Sequence, residues 1–409
     1  MLEIDFPTFR SRINIHSDRD LTVEIVAGDN MGFCDMVEYE AVEVRDGLVV
    51  LSWREHIGST IVHVLDLISG KAHTAVTPVK GDFMRLTGRI TMRPERCVSA
   101  DRRRPGTAAI ELFPGFASGR LGAGNYEIFF RIGGSGPPLL LLHGYPETHV
   151  CWHKIAPGLA ARFTVVVADL PGYGESRGPE WEAAYAKRAM AEAFVGVMNQ
   201  LGYPRFSIAG HDRGGRVAYR LALDCPDRVE RLATLSILPT FAMWQRLKDN
   251  ADAMRAFRWY FLAQPSPFPE DMIEAFAIPY LHATLSGWTA DKSLAAFAPD
   301  ALAAYETAFA TRAVIAGSCA DYRTGWTKDR EDDEDDLAAG RVIACPTLAL
   351  WGRREFPDVE RFLAGWRPIA PHAEGHAMDC GHFLPEEEPD KTAEALSAFL
   401  VRDSHLAIS

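Results

Sequence analysis

The sequence predicts an α/β fold: a doubly wound, mostly parallel sheet with a helical insertion, preceded by a separate antiparallel β domain. Three observations carry this reading. From residue 110 onward, short continuous apolar runs alternate with segments of helical periodicity, the pattern of parallel strands joined by crossover helices. Between residues 239 and 338 the alternation gives way to an aromatic-rich helical stretch. Ahead of both, residues 1–95 read as closely spaced strands and turns, as in antiparallel sheets and small barrels.

The β region is marked by its turns. Residues Ala41–Val44 lead through Arg45-Asp46-Gly47 into Leu48–Trp53, and an Asp-Gly between two β-rich runs signals a hairpin. Ser59–Asp66 ends at a second turn, Ser69-Gly70-Lys71, and Phe83–Ile90 is a further alternating strand. This stretch resembles the lipocalin-like domains related to a molybdenum-cofactor biosynthesis family, without implying molybdenum here. Such barrels hold small ligands or serve as interface modules. Trp53 and His63 fall on strands and read as packing residues.

Residues 96–109, CVSADRRRPGTAAI, are polar and contain Pro and Gly, the composition of a linker. The α/β part then opens with Pro138–Leu142 and Phe163–Asp169, apolar runs expected of strands buried on both faces. Arg188–Leu201 is helical, Phe206–Ala209 is a strand, Gly215–Leu223 is the helix after it, and Leu232–Ile237 and Thr347–Trp351 are later strands. The expected organisation is a β domain over 1–95, a linker over 96–109, α/β core over 110–238, a helical cap over 239–338, and the rest of the core over 339–409. The acidic run Asp329–Asp336 lacks the Gly and spacing of a calcium loop and reads as a solvated loop.

Bulk properties narrow the function. A chain of 409 residues exceeds one typical core, so two domains are expected. The net charge of −12 argues against a nucleic-acid partner, which needs clustered Lys and Arg; Arg102–Arg104 is too short a basic run to change that. No apolar run approaches the roughly 20 residues of a membrane span, and MLEIDFPTFR has no signal core, so a cytoplasmic location is expected. The seven cysteines are scattered, with no C-x-x-C pair, which suggests neither a disulfide framework nor structural zinc. Cys380 reads as a buried, inert thiol. No metal or cofactor is expected, and the expected partners are a small substrate and water.

The chemistry is concentrated in AGHDRGGR, Ala209–Arg216. Gly210-His211-Asp212-Arg213-Gly214 has the form of a nucleophile elbow between strand and helix, with an aspartate at the tip where serine is common. His143-Gly144-Tyr145-Pro146 follows the first buried strand. The backbone N–H groups of Tyr145 and Arg213 then form an oxyanion hole. Gly381-His382-Phe383 follows the last strand. The order nucleophile, acid, histidine is that of an α/β-hydrolase fold. A carboxylate nucleophile suits displacement at saturated carbon, leaving an alkyl ester on Asp212 that His382, as general base, hydrolyses with water. Carbon–halogen compounds and epoxides are the substrates for that chemistry. Arg213 and Arg216, three apart on a helix, suit a carboxylate beside the reacting carbon. The alternative is that one of them pairs with a protein carboxylate.

Residues from about 112 to 400 resemble the fluoroacetate dehalogenases, the haloacetate-cleaving branch of the α/β-hydrolases. The stretches that carry this are LFPGF, PPLLLLHGYPETHVCWHKIAP, ADLPGYGES, AGHDRGGRVAYRLALD, ILPT, FLAQPSP, DYR, LALWG and GHFLPEEEPD. The resemblance implies Asp212 as nucleophile, His382 as base, Arg213 and Arg216 as the carboxylate clamp, and Trp259 and Tyr322 as donors to the leaving halide. It also implies a homodimer.

Three positions depart from the family. Ser236 stands where the family has the aspartate that orients the histidine. Glu355, three residues after the glycine of the next strand, is where many other α/β-hydrolases keep that acid, and it is the proposed substitute, with Asp358 as second choice. Arg258 replaces a histidine of the halide pocket; it can hold a leaving anion, bind a second carboxylate of a different substrate, or pair with an acid of the cap. The fused N-terminal domain is outside the dehalogenase pattern. Two rivals remain: an epoxide hydrolase, with Tyr260, Tyr280 and Tyr322 as available phenols, and a ligand-binding protein on a decayed hydrolase scaffold, motivated by Ser236.

Overall fold

The computed structural model describes residues 2–15, 20–28, 34–45, 48–54, 59–77, 84–92 and 112–401. The expected linker 96–109, with Arg102–Arg104, and the Asp46-Gly47 turn lie outside the described residues. The chain divides into two compact units, residues 1–109 and 110–409.

The first unit is a closed barrel of eight antiparallel strands: β1 (Leu2–Asp5), β2 (Phe9–Ile15), β3 (Asp20–Gly28), β4 (Cys34–Arg45), β5 (Leu48–Arg54), β6 (Thr60–Asp66), β7 (Lys71–Thr77) and β8 (Met84–Met92). Strand β1 pairs with both β2 and β8, Ile4 lying opposite Ser11 and Ile90. Closure removes the exposed edges that make open sheets prone to association. The side-chain period of two places Ile61, His63 and Leu65 of β6 inside. There His63 packs on Trp53 with ring centroids 4.8 Å apart, its Nδ1 lies 2.6 Å from Thr74 Oγ1, and burial pulls it down to about 4. At the β6–β7 turn, Asp66 Oδ1 accepts from the Ile68 and Ser69 N–H groups at 3.1 and 3.0 Å, a side chain fixing its own turn.

The second unit carries an eight-stranded sheet in the order β16-β15-β14-β13-β11-β12-β10-β9. Its strands are β9 (Ala117–Ala123), β10 (Tyr126–Gly133), β11 (Pro138–Leu142), β12 (Thr164–Ala168), β13 (Phe206–His211), β14 (Val229–Leu235), β15 (Thr347–Gly352) and β16 (Glu374–Met378). The edge strands β9 and β10 are antiparallel, whereas β11 to β16 pair in parallel. Leu139 to Leu142 are wholly buried, as the continuous apolar run requires of a strand covered on both faces. Crossover helices Lys187–Gln200 and Asp212–Asp224 flank β13. That arrangement puts the end of β13 at the crevice where open α/β sheets bind ligands. Between β14 and β15 the chain forms a run of helices from Thr240–Arg246 to Lys328–Ala338. Among the described residues, no helix is long and apolar enough to cross a membrane.

One expectation is overturned here. Asp329–Asp336 is not a solvated loop but part of the helix Lys328–Ala338, with Asp329, Asp332, Asp333 and Asp336 buried. Their spacing of three and four places them on one helical face. Arg220 reaches Asp333 at 2.6 Å and also binds Asp336. Arg188 reaches Asp332 at 2.8 Å, and Lys187 Nζ reaches Asp329 at 3.2 Å. A carboxylate stripe thus occupies the place of an apolar one. Lys328 and Arg341 pair locally with Asp332 and Asp336 at 2.8 and 2.7 Å, but the cations Lys187, Arg188 and Arg220 lie more than a hundred residues upstream, so the local pattern alone does not announce it.

Candidate active site

The site is built at the junction of β13 and the helix that follows it. The strand ends at His211 and the helix begins at Asp212, whose φ of 42° lies in the left-handed region. For a non-glycine residue that conformation costs about 1–3 kcal/mol and is held by its surroundings. The turn closes only because its flanks are glycine. A Cβ on Gly210 would lie 2.4 Å from Gly214 O, and one on Gly214 would lie 2.4 Å from His143 O. Asp212 is buried, and its Oδ2 accepts the Tyr145 N–H at 3.1 Å. The Arg213 N–H belongs to the first helical turn, where backbone donors have no intrahelical acceptor. The Tyr145 donor thus meets the carboxylate at a helix N-terminus, which favours negative charge.

His382 follows β16 and sits with Glu355 Oε2 2.8 Å from its Nδ1. Its Nε2 is buried with no partner among the described residues. Burial alone would lower the imidazole, but the charge and hydrogen bond of Glu355 outweigh it, Asp212 adds to the effect, and His382 is held up at about 9. The backbone is pinned on both sides: His382 N–H donates to Trp288 O at 2.9 Å, and His211 Nε2 lies 2.9 Å from His382 O. His211 Nδ1 in turn meets buried Glu147 Oε2 at 2.9 Å. Trp288 from the cap packs its ring on the imidazole, centroids 4.8 Å apart. Ser236 does not reach His382; its Oγ accepts the Gly352 N–H at 3.4 Å. Asp358 is occupied as a helix cap, accepting the Arg361 N–H at 2.9 Å. Of the three candidate orienting groups, only Glu355 is brought to the imidazole.

The two arginines of the expected clamp sit in different surroundings. Arg213 Nε and Nη2 bind the Asp321 carboxylate at 2.8 and 2.7 Å, and Nη2 also donates to Asp321 O at 2.9 Å. Only Nη1 of Arg213 is left without a partner. Asp321 also takes Lys187 and the Tyr173 hydroxyl at 2.7 Å. Burial would raise this carboxyl, yet Arg213 and Lys187 hold it below the usual carboxylate range. A guanidinium whose fork is filled cannot grip a substrate bidentately. Arg216 differs. It is buried, donates through Nη1 to Leu238 O at 2.9 Å and Thr240 Oγ1 at 3.3 Å, and has no carboxylate partner among the described residues. Burial, and next the charge of Arg213, lower its affinity for its proton, so an anion beside it is favoured.

Arg216 stacks over the Trp259 ring at 4.4 Å, and Arg213 over Tyr322 at 4.2 Å. Trp259 and Tyr322 meet edge to face at 5.7 Å. Neither Trp259 Nε1 nor Tyr322 Oη donates to the chain among the described residues, which leaves both for an anion. Arg258 lies apart from this pair. Its Nε donates to Thr284 Oγ1 at 3.2 Å and its guanidinium covers Trp288 at 4.9 Å. A cavity of about 580 Å³ reaches Asp212, Arg216, Trp259, Trp288, Glu355 and His382. Tyr145, Arg213, Arg258 and Tyr322 do not line it.

A fold pattern joins these parts: a strand-ending elbow, backbone donors from the loop after β11, and a histidine after the last strand. The family model for the α/β-hydrolase fold matches residues 137–389. This chain belongs to the α/β-hydrolase family. A MoaF-like model matches residues 1–91, the barrel. The hydrolase is 41% identical over 293 residues to a fluoroacetate dehalogenase of Burkholderia sp, covering 71% of this chain and 95% of that protein. It is 32% identical over 265 residues to a soluble epoxide hydrolase of Corynebacterium sp. (strain C12), covering 64% and 90%. Among solved structures, an α/β hydrolase from Nostoc sp PCC 7120 matches with a TM-score of 0.67 and 46% identity, over 70% of this chain and 99% of that one.

Sequence reasoning missed three features of the hydrolase. The Asp321–Lys187 support of Arg213 has a signal in the DYR stretch. The Glu147–His211 link to the His382 backbone had no local signal. Nor did the cations Arg255 and Lys292 of the cap, which line the cavity.

Proposed function

We propose that this hydrolase cleaves the carbon–halogen bond of a 2-haloacid through an ester on Asp212. The observation that carries the reading is a buried Arg216, without a carboxylate partner among the described residues, lining the same cavity as Asp212. An Asp212 oxygen attacks the carbon, the new C–O bond forms as the C–X bond breaks, and the halide leaves with the electron pair. Trp259, which lines the cavity, supplies its Nε1–H to the departing anion, with Tyr322 packed edge to face against it. Esterification removes the negative charge on Asp212 that helps hold the His382 proton, so the imidazole gives that proton up to solvent more readily, leaving Nε2 free to act as base. Water then gives its proton to Nε2 and attacks the ester carbonyl, while the Tyr145 and Arg213 N–H groups stabilise the oxyanion. Collapse releases the 2-hydroxyacid, which takes the proton from His382. The oxygen of water stays on Asp212, and its proton goes to solvent.

A single turnover in heavy-oxygen water tests this: label is expected in Asp212, and halide and hydroxyacid in equal amounts. Asp212→Asn is expected to abolish halide release. Undiminished turnover with no amide repair overturns the mechanism.

A second reading has one observation in its favour. The Tyr145 hydroxyl donates to Tyr280 Oη at 3.2 Å, and Tyr322 packs on Tyr145 at 5.4 Å, a phenol cluster of the kind that protonates an epoxide oxygen, although none of the three lines the cavity. Chloroacetate, fluoroacetate and styrene oxide assayed side by side separate the two.

A further inference from the structure

The cavity is too large and too positive for a haloacetate alone. Five heavy atoms fill on the order of 100–150 Å³ if each takes about the space of a water, against about 580 Å³ here. Besides Arg216, the lining includes Arg246, Arg255, Lys292 and Arg354. Arg246 is engaged with Asp252 at 2.9 Å, and Arg354 lies 3.6 Å from Asp379. Arg255 and Lys292 have no carboxylate partner among the described residues. Lys292 Nζ donates to the Gly287 carbonyl at 2.7 Å, which leaves donors free. The lining acids are committed elsewhere: Asp212 at the elbow, Glu355 on His382 at 2.8 Å, and Asp252 between Arg246 and Arg361. Arg258 adds charge from behind Trp288. Beside Arg216, the lining therefore carries Arg255 and Lys292, which no carboxylate among the described residues binds at ion-pair distance, Asp252 acting on Arg255 only from farther off.

We infer that the substrate is a 2-halo dicarboxylate, its proximal carboxylate at Arg216 and its distal one at Arg255 and Lys292. The inference rests on the 2-haloacid reading and specifies its substrate class.

The test compares 2-bromosuccinate, 2-bromoglutarate and 2-bromoadipate with the monoacids of equal chain length, 2-bromobutanoate, 2-bromopentanoate and 2-bromohexanoate. At low salt, kcat/KM for at least one diacid is expected to exceed that of its monoacid by tenfold or more. The preference is expected to shrink as ionic strength rises. The double substitution Arg255→Gln with Lys292→Gln is expected to bring the ratio within about twofold, mainly through KM. Both residues are exposed, so the core is spared, and each monoacid is measured in the same variant as its own control. No favoured diacid, or a preference that survives the double substitution, overturns the inference while leaving the haloacid reading intact. Halide release from neither series overturns both.

Discussion

Glu355 Oε2 lies 2.8 Å from Nδ1 of His382, although the two residues come from loops after different strands, β15 and β16. The contact replaces one that Ser236 is unable to make, because a hydroxyl bound to the Gly352 N–H offers no charge to an imidazolium. Glu355→Gln keeps the shape and removes the charge. Halide is expected in a burst of about one per site, followed by turnover slowed on the order of 10²–10⁴-fold, the usual worth of general-base assistance. Rapid-quench mass spectrometry is expected to find the alkyl ester accumulated on Asp212. Steady turnover at the parent rate would mean that another group orients His382.

The same pair sets a pH dependence. His382 is raised to about 9 in the folded protein because Glu355, and less strongly Asp212, outweigh the effect of burial. A raised folded value makes the pair's stabilisation complete below the ordinary histidine range near 6.5. That stabilisation is lost as pH rises through about 9. Urea unfolding is therefore expected to show Glu355→Gln destabilising the protein by on the order of 1–3 kcal/mol at pH 6, and by much less at pH 10. A larger loss at pH 10 has the wrong sign for this account.

Arg216 and Arg213 are expected to separate in mutagenesis although both follow the elbow. Arg216 has no carboxylate partner among the described residues and lines the cavity, so Arg216→Lys exchanges a planar fork for a point charge where the proposed substrate acid would bind. A rise of about 10- to 100-fold in KM for haloacids follows from losing one charge-assisted hydrogen bond of about 1.5–3 kcal/mol. An uncharged epoxide, if turned over, should lose far less. Equal losses on both substrates would place Arg216 in support of the fold and not at the carboxylate.

How far the sequence carried depended on whether the physics was local. The strands of the α/β unit were legible because a doubly covered strand must be continuously apolar, as Leu139–Leu142 are. The elbow was legible because three close backbone approaches force glycines at fixed spacing. The barrel was legible in its turns, though closure of β1 on β8, from Leu2 opposite Met92 to Asp5 opposite Arg89, joins the two ends of the unit and leaves no motif. Arg213 was half legible: its position suggested an anion, but whether that anion belonged to substrate or to Asp321 is a question of packing across 108 residues. The acidic helix was misread for the same reason, since carboxylates look solvent-seeking until their partners are placed.

That helix gives the last prediction. Asp333 is buried and binds Arg220 at 2.6 Å, the Tyr219 hydroxyl at 2.9 Å and the Phe241 N–H at 3.0 Å. Arg220 and Tyr219 lie on the helix that begins with Asp212, while Phe241 opens the cap. One carboxylate therefore ties the elbow helix to the inserted helices. Asp333→Asn leaves an amide that still accepts hydrogen bonds but no longer neutralises Arg220, and breaking one side of a buried ion pair costs about 3–5 kcal/mol. Asp336, also bound to Arg220, offsets part of that, so a loss at the lower end is expected in urea unfolding. The companion Glu334→Gln changes an exposed residue of the same helix, paired among the described residues with Arg330 at 3.5 Å, and is expected to shift stability by less than about 1 kcal/mol. Equal effects at Asp333 and Glu334 would mean that the helix is held by its backbone and apolar neighbours, with the buried carboxylates as bystanders.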